Sequence, residues 1–254
     1  MGKWELHRFY AQDAAIARHM PAAAPLNKRS FLRLLTQYGS VYVKPNYEHR
    51  GAGIMKAWRN AEGKYIFVRV RGRRTQLRTL DDLYARVRNG AAGRRHIVQR
   101  TIDLAQIGGR RYDVRVMMVR GGSGAWQYVG MLAKVAGPGS VVTNVSRGRG
   151  YALAIEPALS RSLGAQPARI AAIKRQLVHL SYRITRRFNS YKYSAQIGID
   201  YGVDKQGRIW LIEVNFDYPS HVLFKRLADK TMFRNIKRTL ADYRRIQKRF
   251  AWHG

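Results

Sequence analysis

The stretch from residue 196 to residue 215 constrains the fold of this chain more than any other stretch does. Apolar and polar side chains alternate in residues 196–203 and again in residues 208–214, and Asp204-Lys-Gln-Gly207 separates the two runs. Alternation with a period of two is typical of β-strands, and the glycine allows the tight backbone reversal of a turn. The sequence therefore predicts a β-hairpin in this stretch.

Three oxygen-bearing side chains are spaced along this hairpin: Asp200, Glu213 and Asn215. Glu213 and Asn215 are two residues apart and share a face, and in simple register Asp200 lies near the same end of the partner strand. Two carboxylates and an amide form a site that suits Mg²⁺. The alternative is that the acids are solvated strand residues. A metal is favoured because acids number only 15 against 48 Lys and Arg, and because Glu213 follows an apolar run, where a carboxylate needs a cation or donors.

Composition sets outer limits on the class of protein. With 254 residues, of which 46% are hydrophobic, the chain can form one sizeable domain or two smaller lobes. No apolar run approaches the roughly 18 residues of a membrane span, and the start is unlike a signal peptide. The absence of cysteine excludes disulfides and thiolate metal sites and fits a cytoplasmic protein. The net charge of +33 attracts polyanions such as nucleic acid, anionic lipid or an acidic peptide.

The hairpin sequence GIDYGVDKQGRIWLIEVN resembles the metal-binding hairpin of ATP-grasp enzymes. Those enzymes carry an Asp, a Glu thirteen residues later and an Asn two residues after the Glu, and Asp200, Glu213 and Asn215 have this spacing. The nearest likeness is to the endospore coat-associated, YheC/YheD-type branch. The resemblance implies that these three residues hold a metal, that the cofactors are ATP and Mg²⁺, and that the protein is cytoplasmic or spore-associated.

The resemblance implies an α+β protein with the ATP-grasp fold, in which two α+β lobes hold the nucleotide between them. It divides the chain into an N-terminal helix at 1–18, a small lobe with a phosphate lid at 19–95, and a large lobe with the hairpin and a basic C-terminal helix at 96–254. The N-terminal domain that commonly precedes this fold is expected to be missing. The spacing of apolar residues predicts helices at 27–38 and 168–189.

Two lysines and a glycine loop are the expected phosphate contacts. The letters GKW around Lys3 resemble the opening of the family's ATP-binding lobe, although a lysine so near a terminus can also be unbound. Lys44 precedes a proline and then a loop containing Gly51 and Gly53, whose backbone N–H groups can face a phosphate. The loop is not a Walker A motif, because GxxxxGK[ST] is absent.

Residues 95–102 form a predicted strand that resembles the hinge on which ATP-grasp proteins lay adenine. The resemblance implies that backbone groups of this strand read the base and that the following aspartate contacts the ribose. The cofactor-binding residues assigned in this way are Gln99, Arg100, Thr101, Ile102 and Asp103.

Two arginines are the expected catalytic residues. Arg115 lies in DVRV two residues after Asp113, so the two side chains share a face, and their simplest interpretation is an ion pair. The motif resembles the family's DxRV, whose arginine contacts the transferring phosphoryl group. The segment TNVSRGRG resembles another family motif and gives Asn144 and Arg147 contacts with the γ-phosphate or the acceptor. Lys134 points into the same sheet, and its role is open.

The resemblance implies an ATP-dependent carboxylate-amine ligase that activates a carboxylate as an acyl phosphate and then forms an amide bond. The basic surface suggests that the acceptor is an acidic peptide or another anionic polymer. The C-terminal stretch is expected to show ten cations outward without matching acids. They are Lys225, Arg226, Lys230, Arg234, Lys237, Arg238, Arg244, Arg245, Lys248 and Arg249.

The alternative function is a non-catalytic module that binds nucleic acid or another polyanion on an ATP-grasp scaffold. Tyr182, Tyr191 and Tyr193 lie among basic residues and could stack on bases, although no recognised RNA- or DNA-binding motif occurs. A chain that kept Asp200, Glu213 and Asn215 but bound no Mg·ATP would favour this alternative.

Overall fold

The computed structural model describes residues 2–48, 52–70, 72–138, 140, 150–216 and 218–251. The chain forms two compact units, one containing residues 1–102 with 139–144 and the other residues 103–138 with 145–254. Each unit has helices and an antiparallel sheet of its own, so the predicted α+β architecture is confirmed.

The first unit is built on a six-stranded sheet in the order β1-β6-β2-β3-β4-β5. Its core forms where α3 and α4 cover one face of this sheet with Phe31, Leu34, Leu83 and Val87. In chain order its elements are α1 (Lys3–Ala11), α2 (Ala14–Ala17), β1 (Ala23–Pro25), α3 (Lys28–Tyr38), β2 (Ser40–Pro45), β3 (Met55–Arg59), β4 (Tyr65–Arg69), β5 (Thr75–Leu77), α4 (Leu80–Ala91) and β6 (His96–Arg100).

The helix predicted at 27–38 is confirmed, and its ends have clear causes. The Asn27 side chain accepts from the Ser30 backbone N–H, and the Ser30 hydroxyl accepts from the Asn27 N–H, which forms a capping box. Gly39 ends the helix at a positive φ of 68°, which glycine adopts without strain.

The single N-terminal helix expected over residues 1–18 is instead two short helices. Asp13 takes an extended conformation, and its side chain accepts from the backbone N–H groups of Ala15 and Ile16. An aspartate in this position caps a new helix, so α1 ends before it and α2 starts after it.

The expected boundary between residues 95 and 96 also differs from the structure. The strand His96–Arg100 pairs with β2 and with β1, and so it completes the sheet of the first unit. The first unit consequently extends to residue 102, and the N-terminal helices belong to it.

The second unit is built on a five-stranded path in the order β10-β9-β8-β11-β12, with β7 paired to β8. The helix predicted at 168–189 is confirmed as α6. In chain order the elements are β7 (Gln106–Ile107), β8 (Arg110–Arg120), β9 (Trp126–Val135), β10 (Tyr151–Leu153), α5 (Ile155–Leu163), α6 (Pro167–Phe188), β11 (Gln196–Val203), β12 (Ile209–Asn215), a 3₁₀ helix (Val222–Arg226) and α7 (Thr231–Ala251).

The two faces of this second sheet carry different chemistry. On one face, the Tyr201 hydroxyl hydrogen-bonds Ser181 of α6 at 2.9 Å. On the other face, Met117 and Val119 pack in one cluster with Ile236 and Leu240 of α7. Arg115 lies two residues before Met117 on β8 and therefore shares this face. The face that carries α7 is apolar at one end and charged at the other.

The predicted hairpin is confirmed as β11 and β12, and Asp204 organises its turn. The Asp204 Oδ1 atom accepts from the backbone N–H groups of Gln206 at 3.0 Å and Arg208 at 2.9 Å. Its Oδ2 atom accepts from Trp210 Nε1 at 2.8 Å. The carboxylate and its hydrogen bond with Trp210 are buried, so the Trp210 N–H would have no acceptor if the carboxylate were removed.

Replacing Asp204 with Ala is expected to lower the free energy of unfolding by about 3 kcal/mol, because a buried donor left without an acceptor costs about 1–3 kcal/mol and two hydrogen bonds of the turn are lost as well. Urea denaturation followed by tryptophan fluorescence measures the change. Asp103→Ala is the matched control, since that carboxylate is exposed and pairs with exposed Lys205, and it should cost less than about 1 kcal/mol. Equal losses in the two variants would contradict this interpretation.

Candidate functional site

A one-residue bulge in the hairpin brings the two predicted metal-binding carboxylates together. Asp200 pairs with Glu213, but the next residue, Tyr201, pairs with Leu211, so Ile212 is the extra residue on β12. Without the bulge, Glu213 would follow Leu211 onto the face that packs against α6. The register is therefore not the simple one that the sequence suggested, and the bulge places Glu213 beside Asp200.

The predicted catalytic arginine binds the predicted metal ligand directly. Arg115 Nε donates to Asp200 Oδ1 at 2.6 Å and its Nη2 donates to Oδ2 at 2.9 Å, which is a two-pronged pair. Gly198 makes this approach possible, because a Cβ there would lie 3.1 Å from Arg115 Nη1 and 2.9 Å from the Pro219 side chain.

Lys134 joins this pair to a second carboxylate. Its Nζ lies 3.0 Å from Asp200 Oδ1 and 3.0 Å from Asp113 Oδ1. Lys134 faces Asp113 across β9 and β8, and Arg115 faces Asp200 across β8 and β11. The four buried side chains therefore form one group across three strands, which we call the charged cluster: Asp113, Arg115, Lys134 and Asp200.

The charged cluster holds Arg115, Lys134 and Asp200 in their ionised forms. Burial by itself would raise the pKa of Asp200, but the charges of Arg115 and Lys134 outweigh it and lower that pKa to about 2. Burial would lower the pKa of Lys134 and that of Arg115, and the neighbouring carboxylates reverse both effects and raise them. The cluster therefore carries two positive and two negative charges at neutral pH.

Asn215 has a fixed orientation beside the cluster. Its Nδ2 atom donates to the Gly198 carbonyl at 3.3 Å and approaches Asp200 Oδ2 at 3.4 Å. Both of those neighbours are acceptors, so the amide N–H₂ must face them and the amide oxygen must face the other way. The oxygen of Asn215 and the carboxylate of Glu213 are hard donors that fit Mg²⁺.

Asp200 fits a metal less well than the sequence suggested. The structure brings Asp200, Glu213 and Asn215 together, but it occupies both Asp200 oxygens with cations of the protein. Among the described residues, no group of three or more Asp, Glu, His or Cys side chains is arranged to hold a metal. The assignment of Asp200, Glu213 and Asn215 as metal ligands stays a prediction.

The predicted phosphate lysine of the first unit, Lys44, lies on the sheet face away from α3 and α4. Its Nζ donates to Gln99 Oε1 at 2.5 Å and lies 5.9 Å from the centre of the Tyr42 ring. Lys56 lies 5.6 Å from the same ring and is buried, although the sequence analysis did not identify it. Alternation along β3 could have identified it, because Lys56 is the partner of Tyr42 across β2 and β3 and lies on the same face of the sheet.

The other phosphate residues predicted in the first unit lie along the segments that flank β2. Lys3 Nζ donates to the Glu48 carbonyl at 2.6 Å, and the Lys3 backbone N–H donates to the Asn46 carbonyl at 2.8 Å. Gly53 has a φ of 69° and packs close to Pro45. Gly51, Asn144 and Arg147 lie outside the described residues. Their roles stay predictions.

The predicted adenine strand is β6 and the residues after it. The Arg100 guanidinium lies 4.7 Å from the Tyr38 ring, and Thr101 accepts from the Ser40 hydroxyl at 3.0 Å. Ile102 is buried, and Asp103 pairs with Lys205 at 2.7 Å in the second unit. Their contacts with adenine and ribose stay predictions.

The sequence is similar to those of known proteins. Residues 1–246 match the sequence profile of the family described as YheC/D-like ATP-grasp. The endospore coat-associated protein YheD of Bacillus subtilis (strain 168) is 22% identical over 221 residues, which cover 84% of this chain and 47% of that protein. The chain therefore spans about half the length of this curated relative.

A solved structure shows the fold. The C-terminal domain of K. lactis Pby1, an ATP-grasp enzyme that interacts with the mRNA decapping enzyme Dcp2, has a TM-score of 0.53 and 15% identity. The likeness covers 90% of this chain and 66% of that one. The predicted ATP-grasp fold is confirmed. In the part of the chain that the structure describes, every helix is too short or too polar to cross a bilayer.

Proposed function

The chain belongs to the YheC/D-like ATP-grasp family, and on that premise we propose that it is an ATP-dependent carboxylate-amine ligase. ATP-grasp proteins are typically ATP-dependent ligases. The single observation that supports this activity most is the charged cluster beside Glu213 and Asn215, on one face of the second sheet.

The proposed reaction has two steps. A carboxylate oxygen of the acceptor attacks the γ-phosphorus of ATP, the bond to the β-phosphate oxygen breaks, and ADP leaves. An amine then attacks the carbonyl carbon of the acyl phosphate, phosphate leaves, and the amine loses a proton as the amide forms. Mg²⁺, when bound, would neutralise phosphate charge, and Glu213 and Asn215 would hold it.

The protein's own residues contribute fixed charge and position. Arg115 is held by two hydrogen bonds to Asp200, so its charge does not have to be oriented during the reaction. In the proposal Arg115 and Arg147 stabilise the transferring phosphoryl group, and Lys3, Lys44 and the loop of Gly51 and Gly53 bind the other phosphates. Asn144 contacts the γ-phosphate or the acceptor.

The adenine site in this proposal is the segment from β6 to the residue after it. Backbone groups of Gln99 to Ile102 read the base, and Asp103 contacts the ribose. The Gln99 side chain accepts from Lys44, and the backbone N–H groups of Arg100 and Thr101 donate to the carbonyls of Ala22 and Ser40 within the first sheet.

We propose that the acceptor is an acidic peptide, because the second unit has an exposed basic surface on the sheet face that carries the charged cluster. This surface lies on the 3₁₀ helix and α7, and a surface of one sign attracts ligands of the other. Its exposed cations are Lys225, Arg226, Lys230, Arg234, Lys237, Arg238, Arg244 and Arg245. The side chains of Lys248 and Arg249 lie outside the described residues.

The same basic surface supports a second candidate function, a non-catalytic module that binds nucleic acid. Elsewhere in the second unit Tyr193 is exposed, and the Arg120 guanidinium lies 5.3 Å from the centre of its ring; nucleic acid bases can stack on an aromatic ring of this kind. Such a module would bind RNA with an affinity that falls steeply with salt, and it would need no nucleotide.

An acyl-phosphate trap tests the ligase proposal. The protein is incubated with ATP, Mg²⁺, hydroxylamine and a Glu-rich peptide, and ADP and peptide mass are measured. We expect ADP to form only with the peptide and a hydroxamate to appear on it, because hydroxylamine attacks an acyl phosphate. The control is the same peptide with every Glu replaced by Gln. Tight RNA binding with no ADP formation would favour the second function.

A further inference from the structure

We propose that Lys134 is a fixed counter-ion that takes the place of a metal at Asp200, so that the divalent ion binds Glu213 and Asn215 without a direct bond to Asp200. Lys134 is thus a positioning residue, and the sequence left its role open. The proposal rests on the proposed function for its meaning in catalysis, but its structural core is the charged cluster itself.

Hydrogen-bond donors of the protein surround the Asp200 carboxylate. A carboxylate can accept about four hydrogen bonds, two on each oxygen. Oδ1 receives Arg115 Nε at 2.6 Å and Lys134 Nζ at 3.0 Å. Oδ2 receives Arg115 Nη2 at 2.9 Å and is approached by Asn215 Nδ2 at 3.4 Å. A metal bond to Asp200 would have to displace one of these donors.

The charges around Asp200 also disfavour a metal ion bound directly to it. Lys134 and Arg115 contribute two positive charges, and Asp113 and Asp200 contribute two negative ones, so the charged cluster is already neutral. A divalent ion on Asp200 would lie within a few ångströms of two buried cations, and their repulsion is little screened there. Glu213 adds a further carboxylate beside this neutral group.

Burial and two carboxylate partners fix the position of Lys134. Its side chain is only 11% exposed and reaches across the middle strand to touch Asp113 and Asp200 together. A lysine ammonium buried to this degree needs such partners, because its loss of hydration would otherwise outweigh its attractions. Lys134 therefore stays at Asp200 with or without a nucleotide.

Binding of Mn²⁺ alone, measured by the electron paramagnetic resonance of the free ion, tests the proposal. Asp200→Asn is expected to change the Kd of wild type less than about threefold, whereas Glu213→Gln weakens binding more than tenfold. Lys134→Met is expected to tighten binding at least tenfold, because it opens Asp200 to the ion. Lys134→Arg, which keeps the charge, should bind like wild type.

A double variant tests whether the tighter Mn²⁺ binding expected of Lys134→Met arises at Asp200. Lys134→Met with Asp200→Asn should lose the tighter binding, and circular dichroism checks that each variant is folded. If Lys134→Met does not fold, the comparison of Asp200→Asn with Glu213→Gln decides. An equal loss in those two variants, or no gain in folded Lys134→Met, would overturn the proposal.

These outcomes are separable from the ligase assignment. Wild type could form no ADP with any peptide and still gain Mn²⁺ affinity when Lys134 is replaced, since the gain depends only on Asp113, Asp200 and their neighbours. Conversely, an active ligase in which Asp200→Asn abolishes Mn²⁺ binding would keep the proposed function and remove the counter-ion role.

Discussion

Replacing Glu213 with Gln is expected to lower the rate of ADP formation at least a hundredfold, with little change in stability. The change keeps the side-chain volume and removes the negative charge that, in the proposed function, holds a divalent ion beside the phosphates. Losses of about 10²–10³ are usual when one preorganised electrostatic contact is removed from an active site. The measurement is steady-state ADP formation with the acidic peptide at saturating ATP.

Glu62→Gln is the matched control for this variant. Glu62 is exposed in the first unit, where it pairs with Lys64 at 3.3 Å, and its replacement should leave the rate within about twofold. A Glu213→Gln protein that is folded and as active as the control would remove Glu213 from the site and the ligase proposal with it.

Replacing Arg115 with Met is expected to lower the free energy of unfolding by about 3–5 kcal/mol, because it leaves a buried charge without its partner. Asp113 and Asp200 would then share Lys134 as their cation within the cluster. Guanidinium denaturation at pH 7 measures the loss. The double variant with Asp200→Asn should recover part of it, since Lys134 and Asp113 then remain as one balanced pair.

Acid should remove the stabilisation that Asp200 provides. The pKa of Asp200 is lowered from 3.8 to about 2 in the folded protein, so its contribution is complete above pH 3.8 and is lost as the pH falls toward 2. The difference in stability between wild type and Asp200→Asn should narrow over that range.

The matched control for the Arg115→Met variant is Arg245→Met, because the pair of Arg245 with Asp242 is exposed and is worth less than about 1 kcal/mol. If Arg115→Met lowered the free energy of unfolding no more than Arg245→Met does, the stabilising role of the buried Arg115–Asp200 pair would be contradicted.

The hairpin and its three oxygen-bearing residues could be predicted because the signals are local. The period of two, the Asp-Lys-Gln-Gly turn and the two-residue separation of Glu213 and Asn215 are all contained in one short stretch. The structure places Asp200 beside Glu213 as that stretch suggested, but through a bulge that the alternation of apolar residues did not reveal.

The rest of the charged cluster could not be predicted because it depends on register between distant strands. Lys134 is 66 residues before Asp200, and only the order β9-β8-β11 brings the two side chains to 3.0 Å. The motif containing Arg115 suggested an ion pair with Asp113, and the structure pairs it with Asp200 instead, while its contact with phosphate stays a prediction. The unit boundary was missed for the same reason, since His96–Arg100 is placed by its pairing with β2.

The extra residue at Ile212 makes the position of Glu213 depend on the bulge for as long as Ile212 is present. If Ile212 instead took a regular place opposite Asp200, the faces would be exchanged along the end of β12, and Val214 would lie on the face now held by Glu213. Insertions at Lys205 or Gln206, in the turn, would leave the parity of both strands intact. Homologous chains can therefore vary in length at the tip of the hairpin, and even a single-codon deletion of Ile212 would keep Glu213 opposite Asp200, because it would remove the residue that the bulge leaves unpaired.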